Sequence, residues 1–333
     1  MSKEPQASVY GKRIVFIGSG AIATALGNIL AHNKELTIHL LSIEPEVVES
    51  INAVHINSKY FPNFRLDTRL RATSDKSILP QADLIFLALP SVAVTDYLET
   101  HSHLISPQTV LVNLAKGFGR DNQLIPDSLK QIMPNTVAVM KGPSFAREII
   151  YSQPTAFTVA ASDPACFGTF NSLFANTTVY LDFTDDLKGV EYASILKNIY
   201  AIVIGIVDAN FDSPNLRSLV LARSVNEMRQ LIHYFGGRDA TLFNYCGFGD
   251  FSLTALNDLS RNRTLGLLIG KGFFTRGISD KVVLEGRIAV NVFYELLRSC
   301  CRPDEQYPLL SELYKVFNTD YDIQKFVSRI LNE

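Results

Sequence analysis

Short apolar runs and longer mixed runs alternate along the first half of the chain. Residues 13–18 (RIVFIG) are apolar after their arginine, and residues 21–31 (AIATALGNILA) have helical composition. Residues 36–42 (LTIHLLS) return to a strand pattern, and EPEVVESINAVHI, opened by acids and a proline, predicts a helix whose first turn those residues suit. Residues 83–89 (DLIFLAL) predict a fully apolar strand, followed by a proline and a helical stretch. Residues 109–113 and 136–140 predict further strands, and 155–160 with 178–181 a closing strand pair. Near-continuous apolar strands separated by helices predict a parallel sheet covered on both faces.

From about Asp185 the texture changes. Turn-bounded β-branched runs give way to helical segments at 187–209, 215–234, 253–270 and 282–298. The expected division is therefore an α/β unit over 1–185 and an all-helical unit over 186–333. No internal repeat or low-complexity segment interrupts either. One helical segment poses a chemical question. Residues 191–207 (EYASILKNIYAIVIGIV) are largely aliphatic and aromatic, yet Lys197 and Asn198 lie within them.

Composition narrows the class. The 333 residues suffice for about two domains. A net charge of −2 gives no field toward nucleic acid or anionic membrane, so any anionic ligand must be gripped locally. The four cysteines, Cys166, Cys246, Cys300 and Cys301, form neither CxxC nor Cys/His spacing. That argues against a zinc site and a disulfide framework and favours a cytoplasmic setting. The polar N-terminus MSKEPQASVYGKR lacks the apolar core of a signal peptide. The uninterrupted apolar run 199–207 is about half the ~20 residues of a membrane span, and predicts a buried helix.

Residues 18–23 (GSGAIA) fit G-x-G-x-x-G/A between the first strand and the first helix. Gly18 permits the tight turn, Gly20 admits backbone to a pyrophosphate facing the helix N-terminus, and Ala23 is small enough for close helix–strand packing. The second strand ends in Ser42-Ile43-Glu44. An acid there accepts ribose hydroxyls and repels a 2′-phosphate, which tilts the expected cofactor toward NAD over NADP. Glu44 reads equally as the first-turn acid of the next helix.

Lys197 has two readings from its helix alone. One is a desolvated proton donor and acceptor; the other is a structural lysine paired with an acid or reaching the surface. KGF at 116–118 and KGPSFARE at 141–148 both follow strands at the carboxyl edge, where doubly wound sheets bind ligands. GFGDFSLT at 247–254 sets Asp250 and Thr254 four residues apart, on one face if helical. SRNR at 260–263 offers guanidinium forks suited to phosphate, although such a run alone is more often a solvated turn.

Together VFIGSGAIATAL, LALPS, NLAKGFG, KGPSFARE, GVEYASILKNIYAI, NEM, GFGD and LSRNRTLG, in that order, resemble the NAD(P)-dependent glycerol-3-phosphate dehydrogenase family over about residues 13–286. The resemblance implies a Rossmann-type domain joined to an all-helical substrate-binding domain. It also implies reversible reduction of dihydroxyacetone phosphate to sn-glycerol 3-phosphate, a phospholipid precursor. By motif, Lys197 is the catalytic lysine, Asn198 and Asp250 hold and polarise it and the substrate hydroxyls, and Lys116 orients the substrate. Thr254 lines the pocket, Gly142 and Ser144 are substrate contacts, and Arg261 with Asn262 takes the phosphate beside Ser260. Cofactor contacts are implied at Gly18, Gly20, Ala21, Ile22, Ala23, Ser42, Glu44, Pro90, Lys116, Ala146 and Arg261, and later at Val283 and Glu285 of VVLEG. No metal, nucleic acid or integral membrane segment is implied. A homodimer is compatible with the long apolar helical faces.

The chain departs from that family in places. Ile22 and Ala23 stand where tryptophan and glycine are frequent, Ile43 where many members have arginine, and Lys141 where a serine or similar small residue is common. The stretch DANFDSPNLRSL is less glycine-rich than usual. Two alternative readings exist: another Rossmann/helical reductase of ketopantoate or hydroxyacid type, and a non-catalytic dinucleotide sensor. SRNR and GFGD argue against the first, since an unphosphorylated substrate needs no arginine–asparagine clamp. The joint presence of Lys116, Lys197, Asp250 and Arg261 argues against the second.

Overall fold

The structure is a computed structural model that describes residues 10–273 and 280–332, with only the backbone described for 280–285. The chain divides into two compact units, the first ending at Leu187 and the second beginning at Lys188.

The first unit runs β1 (Arg13–Ile17), α1 (Ala21–Ala31), β2 (Thr37–Leu41), α2 (Pro45–Val54), β3 (Arg71–Thr73), β4 (Leu84–Leu87) and α3 (Ser91–His101). It continues with β5 (Val110–Asn113), α4 (Ile125–Ile132), β6 (Val137–Lys141), α5 (Ala146–Ile150), β7 (Thr155–Ala161), α6 (Phe167–Phe174) and β8 (Val179–Thr184). The strands form one sheet in the order β3-β2-β1-β4-β5-β6-β7-β8. Its apolar strands are buried on both sides because alternate residues feed two cores. Ile14 and Phe16 point into one with α1 and α2 residues such as Leu26 and Val47, while Val15 and Ile17 point into the other with Val94 and Leu129. Phe16 stacks on Phe86 of the neighbouring strand at 4.6 Å.

Two sequence expectations are corrected here. The sheet is parallel at every junction but one, since β6 and β7 pair antiparallel. The connection between them, residues 142–154, holds only the five-residue α5. In the second unit, the single helix expected over 253–270 is two helices.

That second unit comprises α7 (Leu187–Asn210), α8 (Pro214–Tyr234), α9 (Asp250–Leu256), α10 (Arg261–Gly270), α11 (Asp280–Arg298), α12 (Pro303–Gln306), α13 (Pro308–Asn318) and α14 (Phe326–Asn332). The break between α9 and α10 follows local polar chemistry. Asn257 is extended and its side chain accepts the Leu259 N–H at 2.9 Å, while the Ser260 hydroxyl accepts the Arg263 N–H at 3.2 Å and caps α10. Only α7 is long and apolar enough among the described residues to cross a membrane, and 94% of its apolar window is buried inside the protein. Gly205 of α7 and Gly266 of α10 let these helices touch backbone to backbone. A Cβ on Gly205 would lie 2.3 Å from the Arg263 carbonyl oxygen, and one on Gly266 2.1 Å from that of Ile202. This close approach seats the N-terminus of α10 against α7.

Candidate active site

In the first unit the sheet order reverses between β1 and β4, the position where doubly wound sheets open a ligand crevice. Gly18 leaves β1 there with φ +112°, and a Cβ on it would lie 2.6 Å from the Ala88 carbonyl oxygen. Only glycine meets both demands. Gly20 behaves differently, because a Cβ on it would enter open space. It precedes α1, which has neither a side-chain cap nor an acid in its first turn, so the N-terminal N–H groups and helix dipole are offered to an anion.

The turn is braced from outside the motif. Asn57, fully buried, donates to the Ser19 carbonyl at 2.9 Å and to the Thr24 hydroxyl at 2.8 Å. Ser19 and Ser42 share a hydroxyl hydrogen bond of 2.7 Å. A cavity of about 650 Å³ extends from Gly18 and Gly20 to Ser42, Ile43 and Glu44 and, on the other side, to Leu89, Pro90, Ala93 and Tyr97. Tyr60, Ser74 and Lys76 complete it, and none carried a sequence signal, because Tyr60 and Ser74 stand in irregular segments and Lys76 opens a short 3-10 turn, where no periodicity marks them. The Glu44 carboxylate both lines this cavity and pairs with Lys59, and it makes no cap bond to α2. Open space at Gly20, uncapped helix N–H groups and an elongated cavity ending in hydroxyl and carboxylate groups fit a dinucleotide.

Ala21, Ile22 and Ala23 form the first turn of α1, with Ala23 packed into the core. Ala146 begins α5 and packs at the edge of the same core. Val283 and Glu285 lie outside the residues whose side chains are described.

At the carboxyl ends of β5 and β6, two lysines cross. Lys116 donates to the Gly142 carbonyl at 3.1 Å and to the Ser144 hydroxyl at 3.4 Å, and that hydroxyl donates to the same carbonyl at 2.8 Å. Lys141, fully buried, donates in the opposite sense to the Ala115 carbonyl. The unusual lysine at 141 thus ties the turn that carries Lys116. Lys116, Gly142 and Ser144, predicted from separate motifs, meet here.

In the second unit Lys197 is 4% exposed and its ammonium donates to Asp250 at 2.6 Å and to the Thr254 hydroxyl at 3.0 Å. Thr254 in turn donates to the Asp250 carbonyl at 2.7 Å. Asp250 and Thr254 do share a helical face, one turn apart on α9. A π-type turn at Tyr245–Gly249 delivers Asp250 to the start of α9, and it depends on Gly247, whose added Cβ would lie 2.2 Å from the Leu242 carbonyl oxygen. The lysine is therefore an acid-paired one, in a pocket dry enough to strengthen that pairing. Asn198 is buried beside it, but its amide makes no hydrogen bond to Lys197 or Asp250.

SRNR separates into distinct jobs. Arg263 is locked by Asp208 at 2.9 Å and by Asp258, and Ser260 caps the helix. Arg261 and Asn262 occupy the first positions of α10, and no carboxylate holds Arg261 among the described residues. An uncommitted guanidinium at a helix N-terminus is suited to a phosphate.

A nucleotide crevice in a parallel-rich sheet, followed by a helical unit with a dry, acid-paired lysine, defines a dinucleotide-dependent oxidoreductase. Family models sharpen this. Residues 13–167 match the NAD-dependent glycerol-3-phosphate dehydrogenase N-terminus and residues 186–328 the corresponding C-terminus. The chain belongs to the NAD-dependent glycerol-3-phosphate dehydrogenase family, whose cofactor is NAD(P). It is 32% identical to the glycerol-3-phosphate dehydrogenase (NAD(P)+) of Geobacter sulfurreducens over 96% of this chain and 97% of that protein. The Halothermothrix orenii protein of the same name is 31% identical over 92% and 91%. The solved glycerol-3-phosphate dehydrogenase of Coxiella burnetii superposes with a TM-score of 0.86 at 27% identity, covering 98% of this chain and all of that one.

Proposed function

We propose that this protein catalyses reversible hydride transfer between NAD(P)H and dihydroxyacetone phosphate, giving sn-glycerol 3-phosphate. The observation that carries the proposal is the buried Lys197–Asp250–Thr254 cluster. Residues 1–185 are assigned to dinucleotide binding and 186–333 to substrate binding. When bound, the reduced cofactor supplies the hydride. Every other step belongs to side chains of this chain.

Arg261 and Asn262, with the N-terminus of α10, hold the substrate phosphate. Lys116 and Ser144 orient the hydroxyketone end. Lys197 donates a proton to the carbonyl oxygen as carbon 2 becomes tetrahedral, and in the oxidation direction it takes that proton back. Asp250 keeps the ammonium charged and aimed, while Thr254 fixes its direction. A placed general acid contributes about 10²–10⁴-fold in rate. Asn198, unbonded to the cluster, is assigned to the substrate hydroxyl. Cofactor pyrophosphate is assigned to the turn at Gly18–Gly20, and the adenosine ribose to Ser42 and Glu44.

The expected role is supply of the glycerol phosphate backbone of phospholipids. A cytoplasmic location is proposed with it, supported by four cysteines that form no disulfide among the described residues.

The test is Lys197→Ala. Turnover with dihydroxyacetone phosphate should fall at least about 10²-fold, while NADH affinity, measured by fluorescence titration, stays within a factor of about two. Near-normal turnover would remove Lys197 from the proton-donor role.

A further inference from the structure

The NEM segment belongs to the family resemblance but has no part in the chemistry above. Its glutamate, Glu227, is 5% exposed on α8. Its carboxylate accepts the Leu309 N–H at 2.8 Å and the Leu310 N–H at 3.2 Å. These are N–H groups of the first turn of α13, which begins at Pro308 and has no side-chain cap of its own. Glu227 thus does, from another helix, what a capping residue does locally. A third hydrogen bond, 2.9 Å, comes from the Tyr200 hydroxyl.

Tyr200 connects this anchor to the lysine cluster. It is fully buried on α7, one turn after Lys197. Its ring meets Phe251 edge-on at 6.4 Å, and Phe251 is the residue after Asp250. One side chain therefore touches the element bearing the proton donor's partner, while riding on the helix that bears the donor itself. We propose that Glu227 is a positioning residue: fixed by the start of α13, it holds Tyr200, and Tyr200 keeps the Lys197 turn of α7 in register with Asp250 on α9. The proposal rests on the reading of Lys197 as proton donor.

The electrostatics agree. Burial pushes the Glu227 carboxyl up to about 7, against the opposing effect of its hydrogen bonds and of Arg223 on the same helix. From α7 it faces Tyr200, and from the approach to α13 it faces Tyr307; the phenols of both are raised by burial and by this carboxylate. Arg223 is itself engaged with the Ile330 carbonyl. The folded protein holds this proton at pH values where the unfolded chain has released it. The group's contribution to stability is therefore full below about pH 4.3 and is lost as pH rises toward about 7.

The experiment compares Tyr200→Phe, Glu227→Gln and Lys197→Ala, each as the full chain, using NADH and dihydroxyacetone phosphate. Tyr200→Phe keeps the ring on Phe251 and loses only the hydroxyl. It should lower kcat about ten-fold, with both KM values within a factor of about two. A loosened Lys197–Asp250 pair favours the ammonium less, so the basic limb of the kcat–pH profile should move to lower pH. Glu227→Gln should show the same kcat loss and flatten the dependence of the thermal midpoint on pH between about 4 and 7. Wild-type kcat and an unmoved basic limb in folded Tyr200→Phe, while Lys197→Ala is inactive, would overturn the positioning role and leave the proton donor standing. Near-normal Lys197→Ala would overturn both.

Discussion

In the first unit the groups proposed to take a cofactor phosphate are main-chain N–H groups of the turn at Gly18 and Gly20, at the end of β1. In the second unit the proposed proton donor, Lys197, is a side chain, buried on α7 and held by Asp250 and Thr254. The two arrangements tolerate sequence differently. A backbone cradle depends on conformation and clearance, so Ile22 and Ala23 can replace bulkier or smaller residues around it. A buried ammonium depends on its partner, because an unpaired charge in a dry site is costly. Substitutions in the backbone cradle should therefore change binding or folding, and those in the buried lysine cluster should change turnover.

The largest effect expected is at Asp250. Asp250→Ala strands the Lys197 ammonium, so kcat should fall by about 10²-fold or more and stability by about 3–5 kcal/mol. Steady-state kinetics and denaturant titration would check both, and an active variant of normal stability would break the contrast. Next is Arg261→Ala, which removes charge-assisted hydrogen bonds of about 1.5–3 kcal/mol. It should raise KM for dihydroxyacetone phosphate about ten- to a hundred-fold and leave the unphosphorylated ketone unaffected. Equal effects on both ketones would reject a phosphate clamp.

The two glycines of the cradle should separate by mechanism. Gly18→Ala must distort the turn, so it should cost about 1–3 kcal/mol of stability. Gly20→Ala meets no protein atom, so its thermal midpoint should stay unchanged while dinucleotide affinity falls. Calorimetry of unfolding alongside NADH titration distinguishes them; a destabilised Gly20→Ala would mean that this space is not kept for a ligand. The smallest effect expected is at Ile43, 92% exposed at the rim of the cavity. Ile43→Arg should raise the NADPH/NADH ratio of kcat/KM by a few-fold, and an unmoved ratio would place the adenosine ribose elsewhere.

What the sequence made legible follows the same division. The β1–α1 turn was readable because strand period, glycines and helix onset coincide within about a dozen residues. Lys197 was readable because an ammonium in an aliphatic helix is anomalous, and Asp250 with Thr254 because four residues make one helical turn. Asn57, Lys59 and Tyr60 were not, since an irregular segment carries no period and their partners lie up to 38 residues away, as in the Asn57–Ser19 bond. The bond from the Leu309 N–H to Glu227 spans 82 residues, and no local pattern announces it. The break at Asn257–Ser260 was hidden by apolar residues on both sides, although the turn from the Leu259 N–H to the Asn257 side chain and the Ser260 cap on α10 mark it. The antiparallel β6–β7 junction was concealed because strand composition does not encode direction.

The most direct test of the account is the wild-type reaction itself. NADH absorbance would be followed after adding dihydroxyacetone phosphate, and in parallel after adding dihydroxyacetone at the same concentration, with NADPH as the second cofactor. Absorbance should fall rapidly with the phosphorylated ketone and very little with the free one. Loss of absorbance that is indifferent to the phosphate, or no loss with either cofactor despite measurable NADH binding, would contradict it.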